Sequence, residues 1–177
     1  MKSHYRAVVI GGGVVGASAL YHLAKMGWND VVLVEKIEYT SGSTWHAAGL
    51  LPLFNMSYSV GKIHKYSVDL YQSLEEETGQ HVSFHKTGNL RLARNQERMD
   101  EYKRYCGTAS TIGVPFEMIG PAEIKKLWPF AKVDDLVGAL FHPDDGHVAP
   151  VDVTMALLKG ARVNGAETYS EVEVTAM

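Results

Sequence analysis

Apolar residues recur along this chain in three rhythms. The first is the unbroken run. Ala7-Val8-Val9-Ile10 and Val31-Val32-Leu33-Val34 each place four apolar residues in a row, the pattern of a parallel strand buried on both faces. The second rhythm is helical. Ala17, Leu20, Leu23 and Ala24 share one face of a helix predicted over residues 14–25, with Gly27 just past its end. A longer helix is predicted over 57–77, with Val60, Ile63, Tyr66, Leu70 and Leu74 as its apolar stripe and Gly79 as its stop. Glu75, Glu76 and Glu77 read as its solvated end. The third rhythm is alternation. Leu90 and Leu92 alternate with Asn89 and Arg91, which predicts a strand with one wet face. Its partner is predicted over 82–84, across a turn at Thr87-Gly88.

The same reading continues to the end of the chain. A helix is predicted over 96–111, with Met99, Tyr102, Cys106 and Ala109 on its apolar side, so that Cys106 is a core residue. Short strands follow over 116–119 and 137–141. Between them Pro121 opens a helix that Pro129 ends. Residues 143–146 form a turn, 151–163 a helix closed by Gly165, and Thr168-Tyr169 with 171–175 a final β-branched, alternating stretch. The order is strand–helix–strand, then mixed elements, then helix and strand again. It predicts an α/β fold: a Rossmann-like dinucleotide-binding domain in two pieces, 1–78 and 146–177, interrupted at 79–145 by part of a second, α+β domain.

The junction between the first strand and the first helix carries chemistry. Gly11, Gly13 and Gly16 have G-x-G-x-x-G spacing. The first glycine permits a tight turn, the second lets the backbone approach a pyrophosphate, and the third lets helix and strand pack closely. Free N–H groups at the helix N-terminus then face the phosphates. Glu35 stands at the tip of the second strand, where its carboxylate accepts hydrogen bonds from ribose hydroxyls and repels a 2′-phosphate. The motif alone is weak, but here it follows a strand, opens a helix and has its acid at the expected distance.

Composition narrows the partners. The chain has 177 residues, 46% of them hydrophobic, and a net charge of −3. A mildly acidic chain without a basic run gives no support for nucleic-acid binding, and no apolar stretch reaches membrane-spanning length. Cys106 is the single cysteine, so neither an intrachain disulfide nor a thiolate metal cluster is expected. The first strand begins almost at Met1, which leaves no room for a signal or transit peptide. The expected location is cytoplasmic, or mitochondrial if a presequence has been lost.

After Glu35 the chain departs from an ordinary NAD-binding unit. Thr40-Ser41-Gly42-Ser43-Thr44 is rich in hydroxyls and glycine; Trp45, His46, Ala47, Ala48 and Gly49 follow. Small residues there leave space for a flat ring system. Taken together, Gly-Gly-Gly-Val-Val-Gly, Val-Val-Leu-Val-Glu-Lys and Gly-Ser-Thr-Trp-His-Ala-Ala-Gly-Leu resemble the dimethylglycine dehydrogenase and sarcosine dehydrogenase family. That family belongs to the D-amino-acid-oxidase-like flavoproteins. The likeness extends through Leu74-Glu75-Glu76-Glu77-Thr78-Gly79-Gln80, Gly88-Asn89-Leu90-Arg91-Leu92-Ala93, Gly146-His147 and Thr154-Met155-Ala156-Leu157. The Ser-Thr-Trp-His-Ala-Ala-Gly form is closer to the dimethylglycine enzymes.

The resemblance implies FAD in an extended pose. Val14 and Val15 would lie at the pyrophosphate turn and Glu35 and Lys36 near the adenosine ribose. Gly42 to Leu50 would run along the rest of the cofactor, with Val174, in a last strand, beside the adenine. His46 matches the histidine that this family joins covalently to the 8α carbon of the flavin. The implied reaction is oxidation of an N-methylated glycine by hydride transfer from the N-methyl carbon. An electron-transfer flavoprotein or oxygen would be the acceptor, and tetrahydrofolate would be bound only in a C-terminal part not in this sequence. The 177 residues are therefore expected to be an N-terminal fragment with little turnover of its own. No catalytic acid or base can be named in it. Two other readings stay open: an NAD-dependent dehydrogenase, and a non-catalytic regulatory homologue of the family.

The other histidines belong to no constellation. His4, His22, His64, His81 and His85 read as surface or helix residues. His142 and His147 flank Asp144 and Asp145, but lack the i,i+4 or i,i+2 spacing of metal ligands on a helix or strand. They are predicted to border a turn of solvated polar residues, and no metal is expected.

Overall fold

The computed structural model describes residues 1–176. It is a mixed α/β structure that divides into two compact units. The first comprises 1–49, 70–84 and 148–176; the second comprises 50–69 and 85–147. The expected division at 78 and 145 differs, because the second unit begins at Leu50 and residues 70–84 return to the first.

The first unit is built on a parallel sheet of β1 (Ala7–Ile10), β2 (Val31–Val34) and β9 (Glu167–Tyr169), in the order β1-β2-β9. β2 is central and wholly buried, as its unbroken apolar run predicts. β1 is not. Val8 and Ile10 are about half exposed, because β1 is an edge strand and only one of its faces is covered among the described residues. α1 (Val14–Lys25) and α5 (Pro150–Val163) pack against each other. Gly160 of α5 permits this approach, since a Cβ there would lie 2.8 Å from the buried Tyr21 ring.

α2 (Tyr58–Thr78) runs from the second unit into the first. Only the second half of the predicted stripe is buried. Val60, Ile63 and Tyr66 are exposed, whereas Gly61, Val68, Leu70, Leu74 and Thr78 are buried. Its glutamates are not simply a solvated end either. Glu77 accepts hydrogen bonds from the Tyr21 hydroxyl and, at 2.9 Å, from Lys25 Nζ.

In the second unit, β5 (Asn89–Ala93), β6 (Glu117–Ile119) and β7 (Gly138–His142) form an antiparallel sheet with β7 in the middle. Leu90, Ile119, Ala139 and Phe141 pack on one face with Ile124 of α4 (Pro121–Leu127). α3 (Gln96–Ile112) is capped by Asn95, whose side chain accepts the Arg98 N–H, and is ended by Gly113 in the left-handed conformation. Tyr102, Tyr105 and Ala109 are its buried residues, while Cys106 is only half-buried rather than core. A second small sheet joins β3 (Leu50–Leu51), β4 (His85–Lys86) and β8 (Gly146–His147) in the order β3-β8-β4.

Four further expectations are corrected. Residues 82–84 form no strand; Ser83 has φ 52°, which breaks extension, and pairing begins at His85. The wet face predicted for β5 is only partly kept: Leu90 packs inward as expected, but its two neighbours in the chain depart from the pattern. Leu92 is exposed, and Arg91 turns inward, with its guanidinium 4.2 Å from the Phe54 ring centroid. The turn after β7 is not solvated, since His142 and Asp145 are both buried. Residues 171–175 are not a strand. They run beside residues 35–37, past the end of β2, through single hydrogen bonds, Val172 N–H to Glu35 O and Glu171 N–H to Ile37 O.

Candidate cofactor site

The glycine-rich turn between β1 and α1 is held from below by side chains. Gly11 leaves β1 at φ 108°, a conformation glycine adopts freely, and donates its N–H to Val34 O at 2.9 Å. Gly12 donates to Glu35 Oε2 at 2.7 Å, and Ile37 N–H donates to Glu35 Oε1 at 3.0 Å. Burial pushes the Glu35 carboxyl up. The N–H groups of Gly12, Ile37 and Lys36 outweigh that and hold it below the usual glutamate range. Glu35 is therefore an oriented anion at the carboxyl end of β2. It also shapes the turn, a role its position at a strand tip did not announce.

The glycines differ in what they permit. A Cβ on Gly16 would overlap the carbonyl oxygen of Gly11, so this residue sets how closely α1 meets the turn. One on Gly13 would lie 2.9 Å from Thr44 Oγ1. The second glycine of the Gly11-Gly12-Gly13 run also matters. A Cβ on Gly12 would stand 2.7 Å from Tyr39 Cδ1 and 2.9 Å from Glu35 Cβ. The G-x-G-x-x-G spacing leaves that position unspecified, and only the fold reveals the constraint.

Past Glu35 the chain folds back over the turn. Thr40 is buried, donates its N–H to Gly12 O at 3.1 Å, and sits at φ 70°, a strained value for a β-branched residue. Gly42 has open space around it. Ser43–His46 then form a 3₁₀ turn. Within it Thr44 is buried, while Ser43, Trp45 and His46 are exposed. The Trp45 and His46 rings lie against each other, with centroids 3.7 Å apart. Ala47 and Ala48 are exposed too. Gly49, at φ 73°, has no room for a Cβ beside Val148 O, and it accepts the Val148 N–H at 2.9 Å. Leu50 lies outside the first unit, as the start of β3.

A cavity of about 340 Å³ opens at the carboxyl ends of β1 and β2, lined by Ile10, Gly11, Val34, Glu35, Lys36, Val172, Glu173 and Val174. Open α/β sheets bind ligands at this end of their strands. Val174 thus lines the same cavity as Glu35 and Lys36, from an irregular segment rather than a strand. The N–H groups of Gly13 and Val15 have no hydrogen-bond acceptor among the described residues, and α1 has no acidic residue in its first turn. Open space, unpaired donors at a helix N-terminus and an oriented carboxylate suit a nucleotide carrying phosphates and a ribose. The residues present therefore fit an adenine dinucleotide such as FAD.

A second constellation lies in the second unit and was not foreseen. His142 Nε2 is 3.0 Å from the Tyr105 hydroxyl, and Asp145 Oδ1 accepts the Leu53 N–H at 2.9 Å. Arg91 Nε, His142 Nδ1 and Asp145 Oδ2 are buried without a hydrogen-bond partner among the described residues. Burial raises the Asp145 carboxyl to about 6, and burial with the Arg91 charge lowers His142 to about 4. The one sequence signal for it was an arginine set between two leucines on a strand.

The chain was compared with known proteins. The family model described as DAO, FAD dependent oxidoreductase, matches residues 6–177. Mitochondrial dimethylglycine dehydrogenase of Rattus norvegicus is 46% identical over 176 residues, which is 99% of this chain and 20% of that protein. The mitochondrial pyruvate dehydrogenase phosphatase regulatory subunit of Mus musculus is 40% identical over 174 residues, covering 98% of this chain and 20% of that protein. Among solved structures, L-proline dehydrogenase from P. horikoshii superposes with a TM-score of 0.90 at 31% identity, over 99% of this chain and 46% of that one. The chain spans about a fifth of the length of these two curated relatives.

Proposed function

The chain belongs to the DAO family of FAD-dependent oxidoreductases, and from that membership we propose that it carries the cofactor-holding part of an enzyme oxidising an N-methylated glycine, such as dimethylglycine or sarcosine. The membership sets aside the NAD-dependent reading. The observation that carries the proposal is the placement of His46. It is exposed on a short turn whose neighbour Thr44 is bonded to the dinucleotide turn, in a chain 46% identical to a dimethylglycine dehydrogenase.

FAD supplies a two-electron acceptor for the substrate's N-methyl C–H bond. The chain's own residues bind and orient it. Gly13 and Val15 offer N–H groups to phosphate, and Glu35, held anionic, accepts from ribose hydroxyls and disfavours a 2′-phosphate. We further propose that a His46 ring nitrogen is bonded to the 8α carbon of the flavin. That attachment would exchange one C–H and one N–H bond for a C–N bond, with two electrons and two protons passing to dioxygen as the oxidant. In turnover, an electron-transfer flavoprotein or dioxygen takes the substrate's electrons onward.

The test uses the complete gene product. It is precipitated in acid, and the peptide containing Trp45 and His46 is weighed. An adduct of FAD mass that disappears in His46→Ala supports the attachment; flavin found wholly in the supernatant refutes it. Oxidation of dimethylglycine or sarcosine by the same protein supports the substrate class. A flavin-loaded protein that oxidises neither amine refutes it and favours a regulatory role.

A further inference from the structure

The segment that bears His46 is tied to the dinucleotide turn by one side chain. Gly13, at the cap position of α1, offers no side chain to the helix's free N–H groups. Thr44 supplies the missing acceptor from 30 residues away in sequence, taking the Val14 N–H on Oγ1 at 3.0 Å. Thr44 is the single buried residue of the Ser43–His46 turn. Its hydroxyl lies so close over the turn that a Cβ on Gly13 would stand 2.9 Å away. Branching at Cβ restricts its χ1, so the backbone that follows is held along with the hydroxyl. The turn closes on the same residue, since Ala47 N–H donates to Thr44 O at 3.2 Å. Thr44 spends one lone pair on Val14, and its hydroxyl proton has no acceptor among the described residues.

We infer that Thr44 is a positioning residue whose hydroxyl fixes the 3₁₀ turn to the N-terminus of α1 and so sets where the His46 imidazole stands. The inference rests on His46 being the residue that meets the flavin. Two rigid parts are joined here: a helix end suited to phosphate, and a turn that presents an imidazole two residues further on. Without the hydroxyl the helix end keeps the N–H groups of Gly13 and Val15, while the His46 turn loses its anchor. Cofactor binding and cofactor attachment are then separated.

The complete protein is compared with its Thr44→Val and Thr44→Ser variants at saturating FAD. Two quantities are read: amide exchange at Val14 and Ala47 in the flavin-free protein, and the rate at which flavin becomes acid-stable. In Thr44→Val, exchange at both amides is expected to quicken about tenfold, the effect of losing one partly buried hydrogen bond. Attachment is expected to slow by at least about tenfold, as misplaced reacting groups do. Thr44→Ser, which keeps the hydroxyl, is expected to restore both. Wild-type exchange and attachment in Thr44→Val would overturn the inference. So would equal loss in Thr44→Val and Thr44→Ser, which would assign the effect to side-chain shape. If wild-type protein attaches no flavin, the attachment reading falls, and the positioning inference is decided by the Val14 and Ala47 amides and their rescue by serine.

Discussion

Asp145 and His142 are buried three residues apart in the chain and titrate in opposite senses. Asp145 rises from 3.8 to about 6 on folding. The native state therefore holds a proton that the unfolded chain releases between those values, and stability falls as pH rises through that window. His142 falls from 6.5 to about 4. Here the unfolded chain takes up a proton that the native state refuses, and stability falls as pH drops through that window. Each shift corresponds to about 3 kcal/mol, so between about pH 4 and 6 the two slopes oppose and the wild-type profile is expected to be shallow. Asp145→Asn keeps an acceptor for the Leu53 N–H and removes one slope. Urea unfolding of this variant should show stability climbing steeply from about pH 4 to 6.5 and exceeding wild type at pH 7.5. A constant offset from wild type at every pH would rule out this account. The site glycines offer a second residue-scale contrast. Gly16→Ala forces a Cβ into the Gly11 carbonyl, whereas Gly42→Ala meets nothing within 4 Å at a φ of −81°. FAD titration should find binding lost by about a hundredfold or more in the first, a cost of about 3 kcal/mol, and nearly unchanged in the second. Equal affinities would show that the turn relaxes around Gly16.

At the scale of elements, what could be read in advance was what is decided locally. α1 occupies the predicted residues because its apolar spacing, its preceding glycines and Gly27, at φ 88°, lie within a few residues of one another. β2 was legible because a parallel strand covered on both sides needs no alternation. α2 was found, but its predicted stripe is buried only at Leu70 and Leu74. It carries apolar residues all round, so spacing alone cannot say which face the tertiary structure will cover. β5 was misread at Arg91 and Leu92 for a related reason. Arg91 is drawn inward by the Phe54 ring, a contact across 37 positions that no local pattern encodes. His142 and Asp145 are likewise buried by Tyr105 and Leu53, far away in sequence. The split of the α2 stripe into covered and exposed residues yields a direct test. Leu74→Ala should cost about 2–5 kcal/mol, while Ile63→Ser, at a residue 64% exposed, should stay within about 0.5 kcal/mol. Thermal unfolding of the two variants checks this. A larger loss from Ile63→Ser would show that something covers that face in solution.

At the scale of the molecule, the candidate cofactor site is concentrated in one unit. Gly11 to Gly16, Glu35, Lys36, Gly42 to Gly49 and Val174 all belong to the first unit, and of the candidate residues only Leu50 belongs to the second. The site draws on segments from both ends of the chain, since Val172 and Val174 line the same cavity as Gly11 and Glu35. The recurrence of helix and strand near the C-terminus foretold such a return; the irregular path of residues 171–175 did not follow from their alternation, because Val172 bonds to Glu35 O without entering a ladder. A ligand that binds the native state stabilises it by mass action, by about 2.7 kcal/mol at a hundred times its dissociation constant. Hydrogen exchange with and without FAD should therefore slow most at 11–16, 35–37, 42–49 and 172–174. The amides of β5 and β7, which carry the Asp145 and His142 cluster, should slow least. Protection that is strongest along β5 and β7 would move the cofactor to the second unit and leave the glycine-rich turn a purely structural feature.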